Sequence, residues 1–538
     1  MTTTANAQQI PIRLVGSSVF GRYPTISSER TYNMFISSSG DGGEEWLVNF
    51  PGYAARNTLV TGATVGRGLF HSVRGDFLLA VVGSAVIRIN TVSSAAITVG
   101  SISTSEGEVS IDENLNSQIC IVDGLHAYIY NYATGNVAQV TFTGNPSGVV
   151  LNMPNYVTFQ NTYFIFGNGE QVPSGSTWFI YNSGYDPNDG STAQTLSYVQ
   201  SLALQTKPDY AIAALRVPSS ANTLILFGTT VAEIWSQVPT TAVYQRNQSV
   251  NIDYGCVSVS TIASSDNVVA WLAINEKSSP SIMVMSGGQA QRISSDGIDF
   301  LMDEINHPEQ STGMFFRQDG HLFYQLTFFN AADNLTIIYD FTTQKFFDLT
   351  DWNNSYHPAR QVAYYNGQMY FVSLKDANLY EFGSDLTTYN IIDGLADYDI
   401  PRVRISDTFR LPTPDKFRVN LFTFVVESGT TTGVSDRTQC EGYVLNEDGR
   451  IIYTEDDLPI LTEQGSCQVF KPRIDLTISK NGGITWSNTV PYTMHNTANY
   501  RAQPRFDRLG FCNQITFQMR IWNWGRSVIK NAMIEVGQ

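Results

Sequence analysis

Charge is scarce in this chain, and positive charge scarcer still. Of its 538 residues only 15% are Asp, Glu, Lys or Arg, and 32 Lys and Arg stand against 48 Asp and Glu, a formal net charge of -16. The cations are scattered along the sequence and make no basic stripe, so tight gripping of a phosphate backbone is not expected. Two readings of the acidic balance stay open: it keeps a large protein in solution, or it forms a wall along which a polyanion passes without sticking. Cysteine is sparse as well. Cys120, Cys256, Cys440, Cys467 and Cys512 are odd in number and far apart, mostly inside apolar strand patterns, and read as buried free thiols of a protein made in the cytoplasm. With no C-x-x-C pair and six isolated histidines, no metal site is expected. There is no G-x-S-x-G elbow, phosphate loop or H-E-x-x-H, and hence no catalytic residue or cofactor-binding residue to nominate. No apolar run is long enough to cross a bilayer, and MTTTANAQQIPIRLVG lacks the basic and apolar regions of a signal peptide.

What the chain does have is aromatic and β-branched material. Aromatics reach 12%, and Ser, Thr, Asn, Gly, Val, Tyr and Phe replace the usual helix formers, an all-β composition. Residues Met314 to Thr350 are typical: short runs of Phe, Tyr, Leu, Ile and Thr broken at Gln-Asp-Gly, Asn-Ala-Ala-Asp-Asn and Thr-Thr-Gln-Lys, an antiparallel meander. Such units start near 68, 117, 156, 215, 266, 314 and 361, with Asn366-Gly367 the strongest hairpin signal. Spacings of about 40 to 60 residues suit four-stranded blades, which predicts a β-propeller of six or seven blades over 65–398.

Three other regions break the rhythm. Residues 1–64 are irregular, with a hairpin expected from the alternation of Tyr32, Met34 and Ile36 and of Trp46, Val48 and Phe50, packing on or closing the propeller. Leu196, Val199, Leu202 and Ala203 have helical spacing, which predicts a helix around Ala193 to Gln205, either core or a partner-contacting insertion; a second, capped helix is expected near 294 to 306. After 398 the strands lengthen and alternate more cleanly, so 399–538 reads as a C-terminal β-sandwich-like domain.

Several constellations invite a chemical reading and also have a plainer one. Arg74-Gly75-Asp76 spells an adhesion tripeptide, but Gly and Asp are what a hairpin tip requires. Ser479 to Trp486 is close to the Asp box of sialidase-like propellers, with Asn481 where Asp is usual, and marks a hairpin. Asp456-Asp457 and Glu44-Glu45 read as solvated loop charge, and Gly42-Gly43 and Gly287-Gly288 lack a dinucleotide context. Trp522 and Trp524 alternate on one strand, as sandwich core or as an interface patch.

In order along the chain, Tyr32-Asn33-Met34, Leu47 to Gly52, Lys207-Pro208-Asp209, Phe227 to Trp235, Tyr254-Gly255-Cys256, Val268 to Ala273 and Gly287 to Ala290 resemble segments of the packaged-DNA stabilisation (tail-hub or nozzle) proteins of short-tailed bacteriophages. The resemblance implies a non-enzymatic virion protein: a homo-oligomer, six copies in a ring below the portal and adaptor, contacting a tail needle, plug or fibre/tailspike, retaining packaged DNA and conducting it during ejection. It implies manufacture in the host cytoplasm and residence in the virion tail. A net acidic lumen is the expectation for the channel. The rival classes are a propeller glycosidase or sialidase-like enzyme and a glycan-binding receptor protein at the tail tip.

Overall fold

Turn chemistry sets the register of the strands. Asp319 and Gly320 have φ 48° and 85°, and Asn366 and Gly367 have φ 50° and 77°. Two successive residues in this left-handed region make the tight turn whose twist matches that of paired strands, and Asn, Asp and Gly adopt it at least cost. The computed structural model describes residues 8–537 apart from 24–28, 40–42, 63, 91–95, 149, 169–176, 184–194, 219, 239–242, 384–385, 387, 393–395, 414, 429–436, 445–459, 471–472, 495–501 and 523–526. The chain forms two compact units, one of Ala55–Leu335 with Tyr356–Phe382, the other of Met1–Ala54, Thr336–Ser355 and Gly383–Gln538.

The first of these is the propeller. Among the described residues, seven antiparallel groups succeed one another, opening with strands Gly66–Ser72, Ser110–Glu113, Pro154–Gln160, Ala213–Arg216, Ala263–Ser265, Ser311–Gln318 and Ala359–Tyr365. Every residue of Phe77–Val82 is buried. The reason is the two-residue period of a strand between two neighbours. Leu78, Ala80 and Val82 pack against Tyr370 and Val372 of the seventh group, while Phe77, Leu79 and Val81 pack against Ile119 and Ile121 of the second. The same two-faced burial recurs around the unit: Phe164 and Phe179 meet Val122, Trp178 and Ile180 meet Leu226, and Phe227 meets Trp271. A buried side chain of this size contributes about 1.5–3 kcal/mol, so one sheet alone would leave most of that unrealised. The ring closes where Ala359–Tyr365 lies beside Gly66–Ser72, with Leu69 N donating to Gln361 Oε1 at 2.9 Å. The fourth strand of the seventh sheet comes from before the first: Arg56 Nε reaches Glu381 at 2.6 Å, Thr58 Oγ1 donates to Asn378 at 2.8 Å, and Leu59 N donates to Ala377 O at 3.0 Å.

The other unit is a β-sandwich. One sheet runs in the order Met34–Ser38, Glu45–Asn49, Ser527–Gly537, Phe417–Ser428, Arg505–Cys512, with Gln8–Ile12 also on Ser527–Gly537. Facing it, Arg402–Ile405, Gln514–Trp522 and Arg473–Ser479 are neighbours in a second sheet that also takes in Arg30–Tyr32 and Lys345–Asp348. The buried rings of Phe422 and Phe517 stack 4.0 Å apart between them. Arg404, fully buried, ties in the N-terminal segment by donating to Leu14 O at 2.7 Å, Ser17 O at 3.2 Å and Thr31 Oγ1 at 2.8 Å, and by pairing with Glu29.

Two expectations change. The linear division at 64/65 and 398/399 differs from the observed units: the expected hairpin of Met34–Ser38 and Glu45–Asn49 forms, but it extends a sandwich sheet, and only the segment after it closes the propeller. Around Ala193 to Gln205 there is no helix among the described residues. Thr195–Ala203 is a strand, paired Thr177↔Ala203 and Ile180↔Gln200, because the third blade lacks an outer strand without it and that pairing outweighs a spacing readable both ways. Asp348 and Asp340 are buried: Asp348 accepts from Ser18 Oγ and faces Arg30 at 3.6 Å, and Asp340 closes the Thr342–Thr343 turn. Trp522 is half-buried and lies beneath Arg520, 3.9 Å from its ring, its Nε1 donating to Asp475 at 2.6 Å. The second predicted helix is present at Asp296–Asp303, capped by Ser295. Cys120, Cys256 and Cys512 are buried free thiols. Trp524, Asp456-Asp457, Gly42 and the side chains of Cys440 and Cys467 lie outside the described residues.

Candidate functional site

The opening strands of the propeller surround a cavity of about 390 Å³, lined among others by Glu108, Ser110, Asn155, Tyr156, Ser258, Glu309 and Gln361. Glu108 precedes the second blade, and its Oε2 is buried with no hydrogen bond; Asn155 Oδ1 and Arg360 Nε are in the same condition. Burial raises the Glu108 carboxyl to about 7, against the pull of Arg360. The buried Arg360 guanidinium is lowered by burial and upheld by Glu108. Burial also lifts the Cys256 thiol to about 12 and raises the Tyr156 phenol, which keeps both protonated and unreactive at neutral pH. Glu309 pairs with His307 at 3.1 Å. These groups can hold a proton and order polar solvent; sequence reading missed Glu108 and Arg360, whose only signal is a charge set just before or at the start of an apolar strand.

The segments that carry the family resemblance are built into structural knots. Asp209 accepts from Thr230 N at 2.7 Å, Val231 N at 3.2 Å and Tyr210 N at 2.8 Å, and from Thr229 Oγ1, which fixes the turn 228–231. Cys256 N donates to Gly228 O at 2.9 Å, and Trp271 Nε1 to Gly255 O at 3.0 Å, so four separate motifs meet at one junction of the fourth and fifth blades. A Cβ on Gly255 would lie 2.3 Å from the Thr229 carbonyl carbon, which leaves only glycine there. Glu233, fully buried, accepts from Gln205 N at 2.8 Å, Thr206 N at 2.7 Å and Trp235 Nε1 at 3.0 Å. In the sandwich, buried Asn33 sits at φ 55°, its side chain bonded to Thr350 Oγ1 at 2.8 Å, Thr350 N at 2.9 Å and Pro401 O at 3.0 Å. Ser479 and Asn481 close the Asp-box-like turn, Asn481 Oδ1 accepting Thr485 N at 2.9 Å as an aspartate would.

The same stretches fall within a family match. Residues 9–387 fit the model of a phage stabilisation family described as Bacteriophage P22 Gp10, beta-propeller. The chain belongs to this family. As a member of the phage stabilisation family it is a bacteriophage structural protein, and its propeller is the family's fold. No curated protein matches it. Among solved structures it is similar to the extracellular domain of the one-component system BT4673 from B. thetaiotaomicron, with TM-score 0.42 and 11% identity over 86% of this chain and 58% of that one. It is also similar to the computationally designed Ika8 protein, with TM-score 0.35 and 12% identity over 69% of this chain and 98% of that one. The N-terminal domain of Nup159 gives TM-score 0.37 and 11% identity over 66% and 98%. The chain thus spans 58% of the length of the first of these. Among the described residues no group of three or more His, Cys, Asp or Glu could hold a metal ion, and no helix is long and apolar enough to cross a membrane.

Proposed function

We propose that this protein is the hub, or nozzle, of a short phage tail: a ring of six copies below the portal and adaptor that retains packaged DNA and conducts it during ejection. It is made in the host cytoplasm and resides in the virion tail, where it also meets a needle, plug or fibre/tailspike protein. One observation carries the reading. The family match covers the propeller, and the residues that carry the resemblance are committed to holding blades and sheets together, which fits a scaffold whose work is done by its surfaces. The formal charge of -16 supports a lumen that is net acidic and does not hold DNA fast. Electron microscopy and native mass measurement of the purified chain mixed with its adaptor are expected to give closed rings. Monomers alone under those conditions would remove the ring from the proposal, and a lysine-lined lumen would remove the acidic channel.

A further inference from the structure

Folding collects cations that the sequence scatters. Along strand Arg505–Cys512 and about the turn that leads from it to Gln514–Trp522 lie Arg410, Lys416, Arg418, Lys480, Arg505 and Arg508, all exposed. Register and contact fix the grouping: Arg418 is the partner of Phe511, and its guanidinium lies 6.0 Å from that ring. Lys480 Nζ donates to Phe511 O at 3.1 Å, and Arg410 is the partner of Gln514. Phe511 itself is 61% exposed. Among the described residues none of these six cations is in an ion pair, whereas Lys345, Arg56, Arg473 and Lys530 all have carboxylate partners. Asp407, Asp415 and Asp507 are the exposed acids on the same segments, so six cations face three anions in a chain where acids prevail 48 to 32.

We propose that this basic, phenylalanine-centred edge of the sandwich is where the protein touches the sugar–phosphate backbone of duplex DNA. The proposal rests on the reading of the chain as a protein in contact with packaged DNA. A plainer role exists for part of the patch: Arg505–Cys512 is an edge strand, and cations and a bulge there discourage pairing with another strand. That role does not require Lys480 in a neighbouring turn, or Arg410 and Lys416 on other segments. Nor does it require an exposed ring with a guanidinium above it. Arg505 to Cys512 spans roughly 23 Å at about 3.3 Å per residue, less than one duplex turn of about 34 Å, so the footprint is short and the contact weak. It follows the backbone without reading bases. This reconciles an acidic molecule with a DNA contact: the patch touches, and the rest of the surface repels.

The test is electrophoretic mobility of a linear duplex with the full-length chain from 50 to 200 mM salt, beside sedimentation of the protein alone. Binding should fall with salt at a log–log slope of about -4.5 to -5.4, as expected for five or six phosphate contacts. The pair Arg418→Glu with Lys480→Glu should weaken binding about tenfold or more and flatten the slope by about 2, while Lys277→Glu on the propeller should do neither. Absence of binding by the unaltered chain at 50 mM salt, or equal binding by the charge-reversed pair, would overturn the proposal. So would a change in sedimentation without a change in DNA binding, which would make the patch a contact between copies. Ring formation with the adaptor tests the hub reading separately.

Discussion

Arg404 shows how much one side chain can organise. It is fully buried and holds two stretches, 14–17 and 29–31, through carbonyl, hydroxyl and carboxylate acceptors. Burial depresses its pKa, with Glu29 opposing. Removing one member of a buried pair strands the other, so Arg404→Met is expected to lower stability by about 3–5 kcal/mol in urea denaturation. Adding Glu29→Gln should recover part of that, and no recovery would mean that the backbone acceptors carry the effect. Glu108 makes a different prediction. Its folded carboxyl is raised to about 7 from an ordinary 4.5, so between those values the folded state holds a proton that the unfolded chain has released. Stability contributed by this group is therefore lost as pH rises through that window. Glu108→Gln should flatten the fall in urea midpoint between pH 5 and 8; parallel pH profiles for the two proteins would show that Glu108 ionises normally.

At the scale of elements, the weak point of the propeller is its closing strand, which joins the seventh sheet from ahead of the first blade. Leu59→Pro loses the N–H that reaches Ala377 O and a buried side chain. Amide exchange should then speed up in Gln368–Ser373 and Asn378–Gly383 more than in Gln118–Val122 and Ala127–Asn131; uniform change would mean that closure is not local. This closure was only half legible in the sequence. Hairpins such as those at Asp319-Gly320 and Asn366-Gly367 were readable because turn chemistry is local, and the meander rhythm followed from them. The strand at Thr195–Ala203 was not, because Leu196 and Leu202 fit either period and only the pairing with Thr177–Asn182 decides. The cation cluster around Phe511 was likewise invisible, since it joins residues about a hundred positions apart through strand register. Asn33, Asp209, Glu233 and Gly255 could be picked out by resemblance, but their task of holding turns required coordinates.

For the whole molecule, the ring proposal has a numerical form. Native mass measurement should find a species of about six times 59.6 kDa with the adaptor's mass added. Ser527–Gly537 lies in the middle of its sheet, between Glu45–Asn49 and Phe417–Ser428, and also carries Gln8–Ile12. Loss of Ser527–Gly537 would therefore remove a central strand and leave Gln8–Ile12 without its partner. Early and late parts of the sequence are thus bound into one sheet through a single strand, and neither can be finished without the other.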